Sequence, residues 1–295
     1  MDIKHPVIRY HGGKFRLASW IIGHFPQHRC YVEPFGGAAS VLLRKNRSDA
    51  EVYNDLDDDV VNLFQVLRDP ALSKQLIDAC ALTPYSRTEF RYAYEPTGDL
   101  VERARRLIVR ATMGFGSAGA TKGTTGFRLD TKRNSATAQK IWERAPDNLI
   151  AVAQRFLGVL VENRDAVKCM QDHDTKTTLH FVDPPYLPAT RVMVGSYYRH
   201  EMDEDQHTQL LECVRSLTGM VIISGYDSSL YNNALSDWTK YTKTSAASGK
   251  SGSVKRMECL WMNDNVMNEL QQVTDIEKAK AKIQARGQNA KFNDA

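Results

Sequence analysis

The tetrapeptide Asp183-Pro184-Pro185-Tyr186 contains residue types that could activate a flat aromatic amine. Such an amine is a poor nucleophile because its lone pair is delocalised into the ring. If the Asp183 carboxylate and the Pro184 carbonyl both accept its hydrogens, the nitrogen is drawn toward tetrahedral geometry and the lone pair is released. Tyr186 would stack on the heterocycle, and a base in a duplex would have to flip out to reach it. The alternative is a plain strand-to-loop turn in which Asp183 is a solvated cap.

The chain before this tetrapeptide predicts how it is positioned. The apolar residues 179–182 predict a buried strand that ends abruptly at the two prolines. Pro184 and Pro185 have fixed φ angles and cannot donate backbone hydrogen bonds, so the turn is stiff. In open α/β sheets, ligands bind at the carboxyl ends of the strands, which is where this turn would lie.

A glycine turn follows an earlier predicted strand. Residues 30–33 predict a strand that ends at Glu33, and Phe35-Gly36-Gly37 follows and opens a helix predicted over residues 38–44. Small residues in such a turn let a ligand approach the backbone. We therefore expect Phe35 and Gly37 to contact a bound cofactor, although the turn alone is weak support for one.

An acid at the end of the next strand completes half of a nucleotide-binding βαβ unit. Residues 51–55 predict this strand, and Asp55 lies 22 positions after Glu33. That is near the spacing at which an acid meets a ribose diol, but the turn is not GxGxxG, so a dinucleotide is disfavoured. Glu33 and Asp55 instead suit a nucleoside-like cofactor that carries a positive centre.

The amino-terminal loop supplies further candidates. Tyr10-His11-Gly12-Gly13-Lys14 places a lysine after two glycines, where it could pair with a cofactor carboxylate. Arg9 precedes this loop and is placed to contact DNA from it. Both cations are also compatible with a solvated surface turn.

The middle of the chain predicts a basic, mostly helical insert. Residues 71–113 have helical patterns that grow basic from Arg103 to Arg110, and residues 114–133 form a polar, glycine-rich stretch. A long basic loop inside a compact domain is usually functional or disordered. We expect phosphate contacts and target recognition from this region, although many of its charges would suit a solvated face equally well. The candidate DNA-binding residues are Lys122, Arg128, Lys132 and Arg133.

Composition limits the class of protein. A chain of 295 residues with 42% hydrophobic and 25% charged residues is typical of a globular protein with a full core. Five scattered cysteines without a CxxC pair indicate reduced thiols and argue against structural zinc. The net charge of +4 permits a polyanionic partner. Without a membrane-length apolar run or a signal-peptide core, we expect no membrane contact and a cytoplasmic location.

Several of these stretches, taken in order, resemble the Dam-type (D12 class) DNA N6-adenine methyltransferases. The resemblance spans residues 10 to about 263 and is weakest in the insert. The motifs Ser224 to Asp227 and Glu258 to Trp261 look most like those of phage and prophage members. The motifs are Tyr10 to Lys14, Tyr31 to Gly37, Asn54-Asp55, Glu162 to Asp165, Phe181 to Tyr186, Ser224 to Asp227, and Glu258 to Trp261.

The resemblance implies S-adenosylmethionine as the cofactor, methyl transfer to N6 of adenine in double-stranded DNA, and the cytoplasm of a bacterial host cell as the location. By motif, Tyr10, Lys14, Asp55 and Asp183 would bind the cofactor, and Asp183 would also be catalytic. Asp165 would face the adenine of the cofactor, unless it is only a helix N-cap. No metal is implied.

The implied fold is α/β, a Rossmann-like SAM-dependent methyltransferase sheet with a mostly helical target-recognition insert. We predict a discontinuous catalytic domain over residues 1–56 and 148–270, the insert over residues 57–147, and a charged tail over residues 271–295. Residues 238–243 and 257–262 predict a late hairpin, with a flexible loop over residues 245–253.

Other functions remain open from sequence. N4-cytosine methylation uses the same amine chemistry, but such enzymes more often carry serine at the position of Asp183. An RNA or free-nucleotide substrate is another alternative, and a catalytically idle DNA-binding decoy is a different class of function. Lys14, Asp55 and Asp183 together argue against a decoy. His200 and His207 have no acid partner at triad or metal spacing, and both are predicted to lie on a surface helix.

Overall fold

The structure is a computed structural model that describes residues 3–121, 123–129, 138–191, 198–249 and 252–275. Within these ranges, seven strands form one sheet in the order β3-β2-β1-β4-β5-β7-β6. The strands are β1 Cys30–Glu33, β2 Ala50–Asn54, β3 Leu160–Glu162, β4 Thr178–Val182, β5 Met220–Tyr226, β6 Thr239–Gly249 and β7 Gly252–Met262.

Five of these strands are parallel, and β7 lies antiparallel to both β5 and β6. Strand β1 pairs on one side with β2 and on the other with β4, so that Val32 lies between Val52 and His180. The strand order therefore reverses between β1 and β4. In open α/β sheets the carboxyl ends of the strands at such a point form the ligand crevice.

Helices cover both faces of the sheet, as the alternation of side chains along β4 requires. Leu179 and Phe181 pack in the larger core, and Val182 packs in a second core on the opposite face. This mixed α/β architecture confirms the predicted Rossmann-like fold. The helices are α1 Ala18–Ile22, α2 Asp58–Arg68, α3 Pro70–Leu82, α4 Arg87–Tyr92, α5 Leu100–Met113, α6 Ala118–Thr121, α7 Ala138–Glu143, α8 Ala145–Phe156, α9 Ala166–Asp172, α10 Glu204–Ser216 and α11 Ser229–Ala234.

The region between β2 and β3 is mostly helical, as predicted. Its first helix, α2, packs directly on the sheet, because the Phe64 ring stacks on Phe156 at 4.3 Å and lies 4.6 Å from Tyr53. The predicted domain boundary at residue 57 would assign α2 to the insert, although α2 packs in the same core as the sheet. The domain limits remain a prediction.

Three local predictions need correction. Residues 38–44 form turns instead of a helix, because Gly37 and Ala39 have φ angles of +47° and +52°, which interrupt right-handed helical geometry. The pattern of residues 15–25, which ends at Pro26, predicts a short amphipathic helix, but the helix is regular only at Ala18–Ile22. The loop predicted over residues 245–253 is wrong for residues 245–249 and 252–253, because β6 and β7 remain paired out to Gly249 and Gly252, while residues 250–251 lie outside the described residues.

The last described segment is helical from residue 264 to residue 275. From about Asp264 onward, the charged sequence with few large apolar residues predicts either a frayed helix or disorder, and the observed helix agrees with the first of these. Residues 276–295 lie outside the described residues. No helix in the part of the chain that the structure describes is long and apolar enough to span a membrane.

Candidate active site

A cleft of about 1470 Å³ opens at the carboxyl ends of the parallel strands. Ligand pockets commonly have volumes of about 300–1,000 Å³. The cleft therefore has room for a nucleoside-sized cofactor and a second flat ring. Predicted site residues that line it are Arg9, Tyr10, Lys14, Glu33, Phe35, Gly37, Asp55, Asp165, Asp183, Pro184, Pro185 and Tyr186.

Asp183 follows directly after β4 and is held by two side chains. Lys14 Nζ lies 2.9 Å from Asp183 Oδ1 and also donates to the Gly12 carbonyl at 2.9 Å. The Ser224 hydroxyl, on the neighbouring strand β5, donates to the same carboxylate oxygen. Both contacts are made to Oδ1, so neither Lys14 nor Ser224 uses the lone pairs of Oδ2.

Lys14 is almost fully buried, with 6% of its surface exposed. Burial alone would lower the pKa of Lys14, but the nearby carboxylates of Asp183 and Glu258 outweigh it and raise the pKa. The ammonium is therefore charged at neutral pH. Its position next to Asp183 makes it a fixed cation at the boundary between the predicted cofactor and substrate halves of the cleft.

Tyr186 is held beside this pair with part of its ring accessible. Lys14 Nζ lies 4.6 Å from the ring centroid, and Tyr226 packs edge-on at 4.5 Å. The Tyr186 hydroxyl donates to Glu258 Oε2 at 2.8 Å. These contacts leave a fixed aromatic ring next to Asp183, which is the arrangement expected for stacking a flat heterocycle.

The glycine turn after β1 and the acid after β2 meet, as predicted. Gly37 N donates to Asp55 Oδ2 at 2.7 Å, and Asp57 N donates to Asp55 Oδ1 at 2.8 Å. Burial raises the pKa of Asp55 to about 6, against the lowering effect of these two backbone donors. Each oxygen still has a second lone pair with which to accept a ligand hydroxyl.

Close packing explains the small residues of this turn. A Cβ added at Gly37 would lie 2.9 Å from Tyr10 Cε1, and one at Gly36 would lie 2.1 Å from Tyr53 Cε2. Gly37 also has a positive φ, which favours glycine. The Tyr10 ring thus lies directly against the turn, where a cofactor would approach the backbone.

Glu33 supports the turn from within the core. Its Oε2 accepts from the Tyr31 hydroxyl at 2.7 Å and from Leu42 N at 3.0 Å. Burial raises the pKa of Glu33 to about 8, even though both donors lower it. Glu33 is therefore largely protonated at neutral pH, and it organises residues 38–44 as well as lining the cleft.

Asn54 connects two of the turns at this edge of the sheet. Its fully buried amide donates to the carbonyls of Pro34 and Arg164, and its carbonyl accepts from Arg164 N. Asp165 follows and caps α9 by accepting from Lys168 N at 3.0 Å. The N-cap reading of Asp165 is thus correct, and its position on the cleft wall keeps the cofactor role as a prediction.

Sequence did not identify the segment after the Asp183 turn that contains Tyr198 and Arg199 as part of the site. Tyr198 packs against the rings of Tyr10 and His11, and Arg199 forms ion pairs with Asp57 and Asp59. These partners lie 140 or more positions away along the chain. No sequence spacing could have indicated the contacts, since only the fold brings them together.

The family model of the D12 class N6 adenine-specific DNA methyltransferases matches residues 10–248 of this chain. The chain belongs to this family. It is 34% identical over 235 residues to a DNA adenine methylase from Salmonella typhi, covering 76% of this chain and 81% of the relative. It is 26% identical over 255 residues to a DNA adenine methylase from Haemophilus influenzae, covering 79% and 85%. It is 23% identical over 273 residues to the Type II methyltransferase M1.LlaDCHI from Lactococcus lactis, covering 83% and 91%.

In this D12 class protein, the structure describes two of the five predicted DNA-binding residues, Arg9 and Arg128, and they lie in different places. Arg9 lies on the wall of the cleft, and the backbone carbonyl of Arg128 accepts from the Tyr85 hydroxyl at 2.8 Å. Lys122, Lys132 and Arg133 lie outside the described residues. All five remain predictions.

The sequence predicts phosphate contacts for the arginines of α5. In the structure, these arginines form ion pairs with carboxylates of the protein. Arg103 and Arg110 bind Asp59, while Arg105 and Arg106 bind Glu102. Their guanidinium groups therefore stabilise the insert, and their charge is largely compensated.

The predicted surface position of His207 is wrong. The residue is on α10 but fully buried, and its Nδ1 lies 2.9 Å from the Tyr231 hydroxyl. Burial lowers the pKa of His207 to about 4, so the ring is neutral at pH 7. His200 is exposed, but it lies in a bend before α10. Among the described residues, no group of three or more His, Cys, Asp or Glu side chains could hold a metal ion.

Proposed function

We propose that this protein transfers a methyl group from S-adenosylmethionine to the exocyclic N6 of an adenine that is flipped out of duplex DNA. The family is that of adenine-specific DNA methyltransferases. The observation that carries the proposal for this chain is the Asp183 turn, which lies in a cleft large enough for cofactor and base together.

The residues of the cleft fit such a cofactor. Asp55 offers carboxylate oxygens suited to ribose hydroxyls, Gly37 leaves the backbone approachable, and Phe35 supplies an apolar wall. Asp165 and Tyr10 lie on the same wall. S-adenosylmethionine would supply an electrophilic methyl group on a sulfonium centre: its S–CH3 bond would break as the N6–CH3 bond forms, a neutral thioether would leave, and N6 would release one proton to water.

The substrate half of the cleft contains the acceptors for the amine. Asp183 and the Pro184 carbonyl would accept the two N6 hydrogens, which favours a tetrahedral nitrogen with an available lone pair. The prolines stiffen this turn, so that the acceptors are positioned before the base arrives. Tyr186 would stack on the base, and Lys14 keeps Asp183 oriented through the 2.9 Å ion pair.

DNA would approach across the rim of the cleft. The rim carries cations from the amino-terminal loop and the turn after β1. Contacts between such cations and phosphates would be sequence-independent and would weaken as salt increases. The cations are Lys4, Arg9, Arg16 and Arg44.

The direct test is to incubate the protein with S-adenosylmethionine and plasmid DNA from a methylation-deficient host. Digested nucleosides are then separated by mass spectrometry. We expect 6-methyladenine from the wild type and from Asp58→Ala, an exposed control. We expect none from Asp183→Ala, which should still bind DNA. N4-methylcytosine would replace the proposed substrate, and a wild type without cofactor affinity would indicate a DNA-binding decoy.

A further inference from the structure

Glu258 lies beside the catalytic turn, although it comes from the last strand of the sheet. It pairs in register with Tyr226 of β5, at the edge where the parallel strands end. Only 7% of its surface is exposed, and it lines the cleft. A carboxylate this buried is costly unless it is hydrogen-bonded. Its described partner is the Tyr186 hydroxyl, at 2.8 Å.

The contacts of Tyr186 show what this bond controls. Lys14 contacts the face of the ring, and Tyr226 contacts it edge-on. Neither contact fixes the hydroxyl end, which donates to Glu258 and also lies beside the Ser224 side chain. Burial raises the pKa of Tyr186 well above its usual value, so the phenol keeps the proton that it donates. A hydrogen bond to a carboxylate is about twice as strong as one between neutral groups.

We propose that Glu258 is a positioning residue, which holds the Tyr186 ring at the angle that an extruded adenine needs for stacking. This inference rests on the proposed function. Misplacement of a bound group by about 1 Å can cost roughly 100-fold in rate. Glu258 itself need not touch the substrate, since it acts through the tyrosine.

The kinetic test compares Glu258→Ala, Glu258→Gln and Tyr186→Phe with the control Glu212→Ala, which changes an exposed glutamate on α10. We expect Glu258→Ala to lower kcat for 6-methyladenine formation about 10- to 100-fold, with KM values for DNA and cofactor within about twofold. Glu258→Gln should recover most of this loss, because its amide oxygen still accepts from the phenol. Combining Glu258→Ala with Tyr186→Phe should be no worse than either change alone.

Two kinetic results would overturn the positioning role. One is a wild-type kcat in Glu258→Ala. The other is a loss in Glu258→Gln as large as that in Glu258→Ala, since negative charge and not the hydrogen bond would then be required. Thermal melting of each variant checks that the fold is retained.

A second measurement does not depend on turnover. The protein is labelled with 3-fluorotyrosine, and Tyr186→Phe identifies the Tyr186 resonance in the fluorine spectrum. That resonance should shift in Glu258→Ala, but not in Glu212→Ala. An unchanged resonance would refute the contact. If the resonance shifts but the wild type forms no 6-methyladenine, the proposed function fails while the Tyr186–Glu258 contact stands, and the positioning role falls with the function.

Discussion

Removal of the charge at Asp59 should destabilise the protein far more than removal of the charge at its neighbour. Asp59 lies in the first turn of α2 and accepts from three guanidinium groups. Arg103 Nε and Arg199 Nη2 lie 2.6 Å from its oxygens, and Arg110 Nη2 lies at 3.0 Å. Arg103 and Arg110 belong to α5 and Arg199 belongs to the segment after the Asp183 turn, so the Asp59 carboxylate of α2 joins three parts of the chain.

The size of the effect follows from the exposure of each pair. Arg110 and Asp59 side chains are each 11% exposed, so this hydrogen-bonded pair should contribute about 1.5–3 kcal/mol. Arg103 and Arg199 are 33% and 39% exposed, and solvent screening limits each to about 0.2–1 kcal/mol. Asp59→Asn should therefore lower the free energy of unfolding by about 2–5 kcal/mol.

The assay is urea denaturation at pH 7 of the wild type, Asp59→Asn and Asp58→Asn. Asp58 is adjacent in sequence but exposed, so its variant should stay within about 0.5 kcal/mol of the wild type. The arginines hold the pKa of Asp59 below its usual value despite its burial. Its contribution is thus complete above the unfolded pKa of about 3.9 and is lost as pH falls through the lower folded pKa. Equal stability of the two variants at pH 7 would refute the reasoning.

Two further predictions concern the glycine turn and the buried histidine. Gly37→Ala should weaken cofactor binding in calorimetry, because its methyl group would meet Tyr10 at 2.9 Å and the φ of +47° disfavours alanine; Gly98→Ala, which meets no atom within 4 Å, should bind normally. As pH decreases from about 6.5 toward about 4, His207 should add a falling slope to the stability of the wild type, because its ring takes up a proton more readily in the unfolded chain than in the folded protein. His207→Gln should flatten this slope in denaturation series, and an unchanged slope would exclude His207 as its cause.

The part of the site that depends on local chain direction was predictable from sequence. Apolar runs followed by Glu33, Asp55 and Asp183 placed three acids at strand ends, and parallel strands end at a common edge. The structure accordingly brings all three to one cleft. The strands that precede these acids were also predictable, since short apolar runs bounded by turn residues are typical of buried strands.

Contacts between distant segments could not be predicted in this way. His207 has the sequence surroundings of a surface helix, but Tyr231 of α11 covers it. The turns over residues 38–44 result from Glu33 accepting from Leu42 N and from positive φ angles, which composition does not encode. The β6–β7 hairpin extends through a Ser/Gly-rich stretch, because pairing between the strands overrides weak local propensity.

The distribution of charge in the insert changes where DNA contacts are expected. In the sequence, the arginines of α5 form a basic segment. In the structure, Arg105 and Arg106 both form ion pairs with Glu102, and Arg105 also forms one with Glu89. A guanidinium that is already paired with a carboxylate gains less from a phosphate, because the existing pair must be broken or shared. Contacts made by α5 would thus weaken the insert that presents them. Lys4 and Arg16, which line the cleft, do not belong to α5, so phosphate contacts that they make would leave the ion pairs of α5 intact.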